Sequence, residues 1–384
     1  MKNTILKILS YVLVAAMASA VSFGICALGR VSTSDKLDHV KYLIENRYVE
    51  EVDMKKLEDA AAAAMVDSLE DRWNYYLTAE EYSSYKERAD NAYVGIGVTI
   101  VETKDGTGVE IMKVESNAPA LDAGIQVGDI IVGVEGQDVA GMTTNELRNL
   151  VRGKEGTFVL LTINRDGEVF DMSVERRTVE TPVATGVMLP DNVGLVTIVN
   201  FDSRCASESI AAIEELIEQG ACALVFDVRH NPGGYKEELV ELLDYLLPEG
   251  PLFRSEDYKG NIEVDESDAS CLEMPMAVLV NEDSYSAAEF FAAALAEYDW
   301  AKVAGTRTVG KGYYQMNFKL QDGSAVALSV GKYTTPKGVS LQDVGITPEI
   351  LVDVDDETYY KIYAGLLTPE EDPQIQAAVE AILP

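Results

Sequence analysis

Apolar positions along the chain keep two different rhythms. Leu37, Val40, Leu43 and Ile44 recur at helical spacing. Asp53 is placed to cap a helix over Met54–Leu69, which carries the Ala60–Ala64 run, and Thr78 with Glu81 three residues on has the capping-box pattern of another. From Val193 the rhythm changes. Val193–Phe201 and Ala221–Val228 are short apolar runs, and the amphipathic helix Ser207–Gln219 lies between them. A helix over Lys236–Leu246 follows, then the run Met276–Val280, the alanine-rich helix Ala287–Ala296 and the run Ala301–Ala304. A continuous apolar run of strand length suits a sheet buried on both faces, and strand–helix alternation predicts an α/β layer with a mostly parallel sheet. Between these regions, Tyr93–Arg177 is β-rich and punctuated by glycine, with a helix over Thr143–Val151 and a strand over Phe158–Asn164. Glu180–Val187 reads as a connector. Near the end, Asp322-Gly323 makes a hairpin turn between Asn317–Leu320 and Ser324–Val330, and Pro369–Pro384 predicts a helix packed on the outside.

The N-terminus has its own pattern. Lys2 and Lys7 precede an uncharged apolar run, Ile8–Leu28, which Arg30 ends. This is a signal-type segment with a positive flank. Ala18-Ser19-Ala20 has the form of a cleavage site, which would release the protein. The run nevertheless continues to Leu28, close to the roughly 20 residues that span a bilayer. An uncleaved single-pass anchor is the favoured expectation, and either outcome places the remainder outside the cytoplasm. Bulky Ile25 before Cys26 argues against lipidation there.

Composition narrows the classes. The 384 residues allow two or three compact units, and 47% apolar residues is a globular content. A formal net charge of −34 argues against nucleic acid and against an anionic membrane surface as partners of the soluble part. Cys26, Cys205, Cys222 and Cys271 show no metal-ligand spacing, so neither a metal nor another cofactor is expected. They read as free, mostly buried thiols with at most one disulfide.

The candidate chemistry sits at Ser286, where a buried strand turns into a helix. Such a turn exposes a hydroxyl at the sheet edge and aims helix N–H groups at whatever it attacks. A serine nucleophile needs a base, and the chain has only two histidines, His39 and His230. His39 lies in a polar helix, and Arg229 beside His230 disfavours an imidazolium. A lysine made neutral by burial is the other option, and Lys311 fits, lying between Gly310 and Gly312 with Val309, Tyr313 and Tyr314 nearby. The residues alone leave open a plainer reading, with Ser286 a helix cap and Lys311 a surface lysine in a hairpin.

The pattern N-x-x-S-x-S-A-x-E at Asn281–Glu289, followed by G-K-G-x-x-Q at Gly310–Gln315, resembles the carboxyl-terminal processing proteases, the S41 peptidases. The resemblance implies Ser286 as nucleophile, Lys311 as base and Gln315 as its support. Ser286 and Lys311 are 25 positions apart, as in the family. Asp227-Val228-Arg229-His230-Asn231-Pro232-Gly233-Gly234 resembles the family's D-L-R-x-N-P-G-G. It implies an oxyanion hole from a backbone amide of Gly233 or Gly234 together with that of Ala287, while Asp227 and Arg229 shape the loop and His230 is structural. Asn117–Ala120, Ala123–Ile125 and Gly128–Ile131 match a PDZ domain, which implies that Gly95, Ile96, Gly97 and Val98 bind a peptide carboxylate, with Leu147 as a wall. The stretch SLEDRWNYYLTAEEY is similar to the one that precedes this PDZ domain, and Lys332–Gly338 and Gly345–Glu349 are similar to the family's closing segments.

The domains expected are residues 1–30 as signal or anchor, 31–90 as N-terminal helices, 91–178 as the PDZ domain, 179–356 as the protease core and 357–384 as a helical tail. The expected function is a serine endopeptidase acting near the exposed C-termini of protein substrates, and the N-terminal helices are compatible with a homodimer. Tyr285, Ala288 and Glu349 depart from the family's usual alanine, serine and aspartate. The first two keep a second reading alive, a non-catalytic PDZ scaffold or pseudoenzyme in the cell envelope.

Overall fold

The structure is a computed structural model and describes residues 33–115 and 117–383. The apolar run Ile8–Leu28 and Cys26 lie outside the described residues. Among those described, no helix is long and apolar enough to cross a membrane. Of the described residues, those up to Glu70 form one compact unit and those from Asp71 another.

The first unit contains helices Thr33–Arg47 and Met54–Asp67. Asp53 caps the second by accepting the Lys56 N–H at 3.1 Å, and Lys41 pairs with Glu58. Leu37, Val40 and Leu43 stay exposed on the first helix.

The second unit begins with the strand Tyr75–Leu77 and the helix Ala79–Ala89. The expected Thr78–Glu81 capping box is formed, with reciprocal bonds of 3.3 and 2.9 Å. A six-stranded antiparallel sheet follows, built around Val98–Glu102, Val109–Val114, Ile130–Val134, Phe158–Arg165 and Glu168–Glu175. The helix Thr144–Val151 packs on it, and its own core contains Val109, Ile111, Ile131, Leu147, Leu161 and Ile163. The short strands Ala92–Gly95 and Arg177–Glu180 pair with each other where the chain enters and leaves this domain.

The α/β layer is a six-stranded sheet in the order Ala184–Leu189, Val193–Ile198, Ala223–Asp227, Met276–Val280, Ala301–Gly305, Ile350–Leu351. All pairs are parallel except the first. Part of the segment read as a connector is therefore that antiparallel edge strand. Helices Cys205–Glu218, Lys236–Leu246 and Ala287–Glu297 cover one face, and every residue of Ala223–Asp227 and Met276–Val280 is buried. The C-terminal helix Pro373–Ile382 covers the other face, packing Ile375 and Ala378 with Val225, Ala277 and Leu279. A second sheet is organised on the long strand Ala325–Thr334, which pairs with Tyr75–Leu77, Gly250–Asp257 and Tyr313–Lys319. Of the described cysteines only Cys205 is buried. Cys222 is exposed and Cys271 half-buried, which corrects the expectation of mostly buried thiols.

Candidate active site

The site forms at the carboxyl ends of the parallel strands, where the crossovers leave a crevice. After Val280 the chain turns on its own side chains. Ser284 Oγ accepts the Asn281 N–H at 3.0 Å and donates to the Val228 carbonyl at 2.7 Å. Ser286 then takes φ 59° and ψ −126°, directly before the helix Ala287–Glu297. A serine at such a φ stores about 1–3 kcal/mol of strain, which the packing around it must hold.

The loop Asp227–Gly234 lies against this elbow. The Asn231 side chain is fully buried, accepting the Gly233 N–H and donating to the Ile198 carbonyl, each at 2.8 Å. The Asn231 carbonyl accepts the Tyr285 N–H at 3.1 Å, so the two loops are stitched together. Gly233 has φ 85°, and a β-carbon there would lie 2.8 Å from the Ala287 nitrogen and from Ser286 Cβ. At Gly234 a β-carbon would lie 2.2 Å from the Phe201 carbonyl carbon. Both positions exclude a side chain. The Gly233 N–H is committed to Asn231, whereas those of Gly234 and Ala287 have no acceptor among the described residues. The Arg229 side chain is almost wholly buried, binding Asp227 through Nε at 2.9 Å and reaching Asp372 at 2.8 Å and Gln374 at 2.9 Å through Nη1. It ties the loop to the C-terminal helix. His230 Nδ1 lies 3.0 Å from Asp283, away from Ser286.

Glu289 is the centre of this network. Its fully buried carboxylate accepts the Ser286 N–H and the Lys311 N–H at 2.9 Å, the Gly310 N–H at 2.7 Å and the Thr308 hydroxyl. Desolvation pushes its pKa up, against the pull of those donors. One carboxylate thus fixes the backbones of both candidate catalytic residues.

The Lys311 side chain lies in an aromatic corner, with Nζ 4.6 Å from the Trp73 ring centroid and 5.7 Å from that of Tyr285. Desolvation lowers its pKa to about 8, although Asp71 and Glu289 pull the other way. Ser286 Oγ lies 2.9 Å from the Tyr333 hydroxyl, which itself donates to the Lys311 carbonyl at 3.1 Å. A phenol has one proton, so Ser286 is the donor in the first bond. Gln315 Nε2 donates to the Tyr313 carbonyl and to Ser329 Oγ at 3.1–3.2 Å, and Ser329 Oγ reaches Asp71 at 2.7 Å. Gln315 therefore communicates with the lysine's surroundings through Ser329 and Asp71.

In the β-rich domain, Gly95–Val98 form a tight loop. The Ile96 and Gly97 carbonyls accept N–H groups from Ala120 and Glu115 at 2.9 and 3.0 Å. The edge strand Val98–Glu102 pairs only with Val109–Val114 among the described residues, leaving its other edge open. Gly95, Ile96 and Gly97 are buried and Val98 is half-buried. Leu147 is fully buried in the domain core and is not a groove wall, because the face of its helix that carries it points inward.

Sequence reasoning placed Ser286, Lys311 and the Gly-Gly turn together but assigned nothing to Glu289, Tyr333 or Trp73. Glu289 had a local signal, lying three residues after the helix cap. Tyr333 and Trp73 reach the site through the second sheet and had none.

A fold and a site of this kind define a peptidase with a PDZ module, and comparison with known proteins agrees. Residues 192–352 match the model of peptidase family S41, residues 94–175 the PDZ domain, and residues 19–81 the N-terminal domain of the activating protease CtpB. The chain is 35% identical to the carboxy-terminal processing protease CtpA of Bacillus subtilis over 365 residues, 91% of this chain and 78% of that one. It is 31% identical to a probable CtpA-like serine protease of Staphylococcus epidermidis, over 85% of this chain and 69% of the relative. A solved Bacteroides fragilis structure described as an S41 protease shares the fold with a TM-score of 0.54 at 18% identity, covering 89% of this chain and 96% of that one. The chain belongs to peptidase family S41, as a carboxy-terminal processing protease with a PDZ domain.

Proposed function

We propose that the chain is a serine endopeptidase with a Ser286–Lys311 dyad and that its PDZ domain takes up the C-terminal ends of protein substrates. The observation that carries this reading is the joint anchoring of Ser286 and Lys311 on Glu289, with a lysine whose pKa lies near 8. Neutral Lys311 accepts the Ser286 proton as Oγ attacks the scissile carbonyl. The Gly234 and Ala287 N–H groups receive the oxyanion, since Gly233 spends its own on Asn231. The lysine returns the proton to the leaving amine, and water then hydrolyses the ester by the same route. Gln315 supports the lysine indirectly, through Ser329 and Asp71. A substrate tail adds as a strand along Val98–Glu102, its carboxylate in the Gly95–Val98 loop. Anchoring by residues 1–30, an extracytoplasmic site and self-association through the exposed stripe of the first helix complete the proposal.

Cleavage of an unfolded protein by the full chain, with a chelator present, tests the core of this. Wild type should cleave and Ser286→Ala should not; peptide binding without turnover by wild type would favour the scaffold reading instead. The pH dependence follows from the sign of the lysine shift. The active form is the neutral amine, so kcat/KM should rise with pH through a midpoint near 8 and fall toward acid. A rate flat between pH 6 and about 9 would remove Lys311 as the base.

A further inference from the structure

In this arrangement the two candidate catalytic side chains are apart. Ser286 donates its hydrogen bond to Tyr333, a phenol whose pKa burial pushes well up and which is no base at neutral pH. Among the described residues Lys311 Nζ has no hydrogen bond to Ser286 and lies over the rings of Trp73 and Tyr285 instead. Those rings touch each other, with centroids 5.6 Å apart. An aromatic face attracts an ammonium by its quadrupole and has no comparable attraction for a neutral amine.

Resting on the dyad reading above, we propose that Trp73 and Tyr285 are positioning residues that hold the protonated Lys311 away from Ser286 and let it go when it loses its proton. Deprotonation and departure from the rings are then one event, and the amine that reaches Ser286 is already in the form a base needs. The pair comes from two distant parts of the chain. Trp73 stands on the segment clamped to the second sheet by Asn74 and Asp71, which bind Ser329 at 2.6 and 2.7 Å. Tyr285 stands on the elbow itself. The charged and titratable groups facing Lys311 are Asp71 and Glu289, which favour the ammonium, and Tyr285 itself. Arg72 stacks on Trp73 with its guanidinium carbon 4.5 Å from the ring centroid. Tyr333 meets the Lys311 carbonyl.

The test uses the full chain with Tyr285→Leu and, separately, Trp73→Leu. Leucine keeps an apolar wall and removes the π face. The expected result is a midpoint of the kcat/KM profile about one pH unit lower, hence roughly fivefold higher kcat/KM at pH 7. A second readout does not depend on turnover. The chain has two tryptophans, and Trp300 is bound to the Leu272 carbonyl at 3.1 Å on another part of the fold. Emission from Trp73 should change as wild type is titrated through pH 8 and stay flat in Lys311→Met. Unchanged midpoints in both leucine variants would overturn the proposal, as would a rise in KM with the pH profile preserved, which would make the rings a substrate contact. Failure of the dyad itself looks different: Lys311→Met would then retain wild-type turnover.

Discussion

Lys311→Arg is expected to lower kcat/KM against an unfolded protein by about 10⁴-fold, close to the loss from Lys311→Ala. Arginine keeps the positive charge and most of the length. It also keeps the attraction to Trp73 and Tyr285, so the site should still assemble. It cannot lose its proton in the accessible pH range, and a base that is always protonated accepts nothing. The charge-preserving variant is therefore the sharper of the two. If lysine acted only by neutralising the oxyanion or by packing, arginine would preserve much of the rate. A pH–rate profile on the residual activity should lack the rise near 8 expected of wild type, because the group proposed to cause it is gone. Substantial activity in Lys311→Arg would transfer the base role elsewhere.

Glu289→Ala should unfold more readily and should also lose activity. Truncation strands the buried Gly310 N–H and Thr308 hydroxyl and the part-buried Ser286 and Lys311 N–H groups. Orphaned buried donors cost about 1–3 kcal/mol each before relaxation, and 3–5 kcal/mol overall is the order expected. Urea unfolding would read it as a fall in midpoint. Glu289→Gln separates the two effects. It keeps the shape, but its amide can present acceptors to only one side, so one pair of donors meets an NH₂ group. Stability should fall less than in alanine, while turnover should fall nearly as far, since the NH₂ group displaces either Ser286 together with Lys311, which share one carboxylate oxygen, or Gly310 together with Thr308, which share the other. A Glu289→Ala variant with wild-type midpoint and rate would show that the carboxylate fixes nothing.

The strand–helix alternation was legible because a sheet buried on both faces writes itself as unbroken apolar runs, Ala221–Val228 and Met276–Val280. Ser286 was legible for the same reason, since a buried strand must end before an alanine-rich helix begins. The caps at Asp53 and Thr78 were equally local, and both side chains accept the N–H groups expected of them. Long-range pairing was not legible. Nothing near Tyr333 says that its hydroxyl meets Ser286, because the register of Ala325–Thr334 against three partners decides it. Trp73 read as part of a family phrase, and its contact with Lys311 depends on two strands far apart in sequence. The edge strand Ala184–Leu189 was missed because it carries Thr185 and Gly186 among its apolar residues and lacks a clean alternation. Leu147 failed because a helix of about two turns offers too few residues to tell its inner face from its outer one.

The Glu289 bracket also says something about time. Because the backbones of Ser286 and Lys311 hang from one buried carboxylate, the proposed dyad is expected to form by side-chain torsions while the two loops stay in place. Side-chain rotations of that kind run on picosecond-to-nanosecond scales, slower when packed, and far ahead of any turnover. On that expectation the site sets no slow step of its own. A lag of milliseconds or longer before cleavage would therefore have its origin in substrate delivery or in movement of whole domains, and altering the rings around Lys311 should change the amplitude of the activity and leave the length of that lag alone.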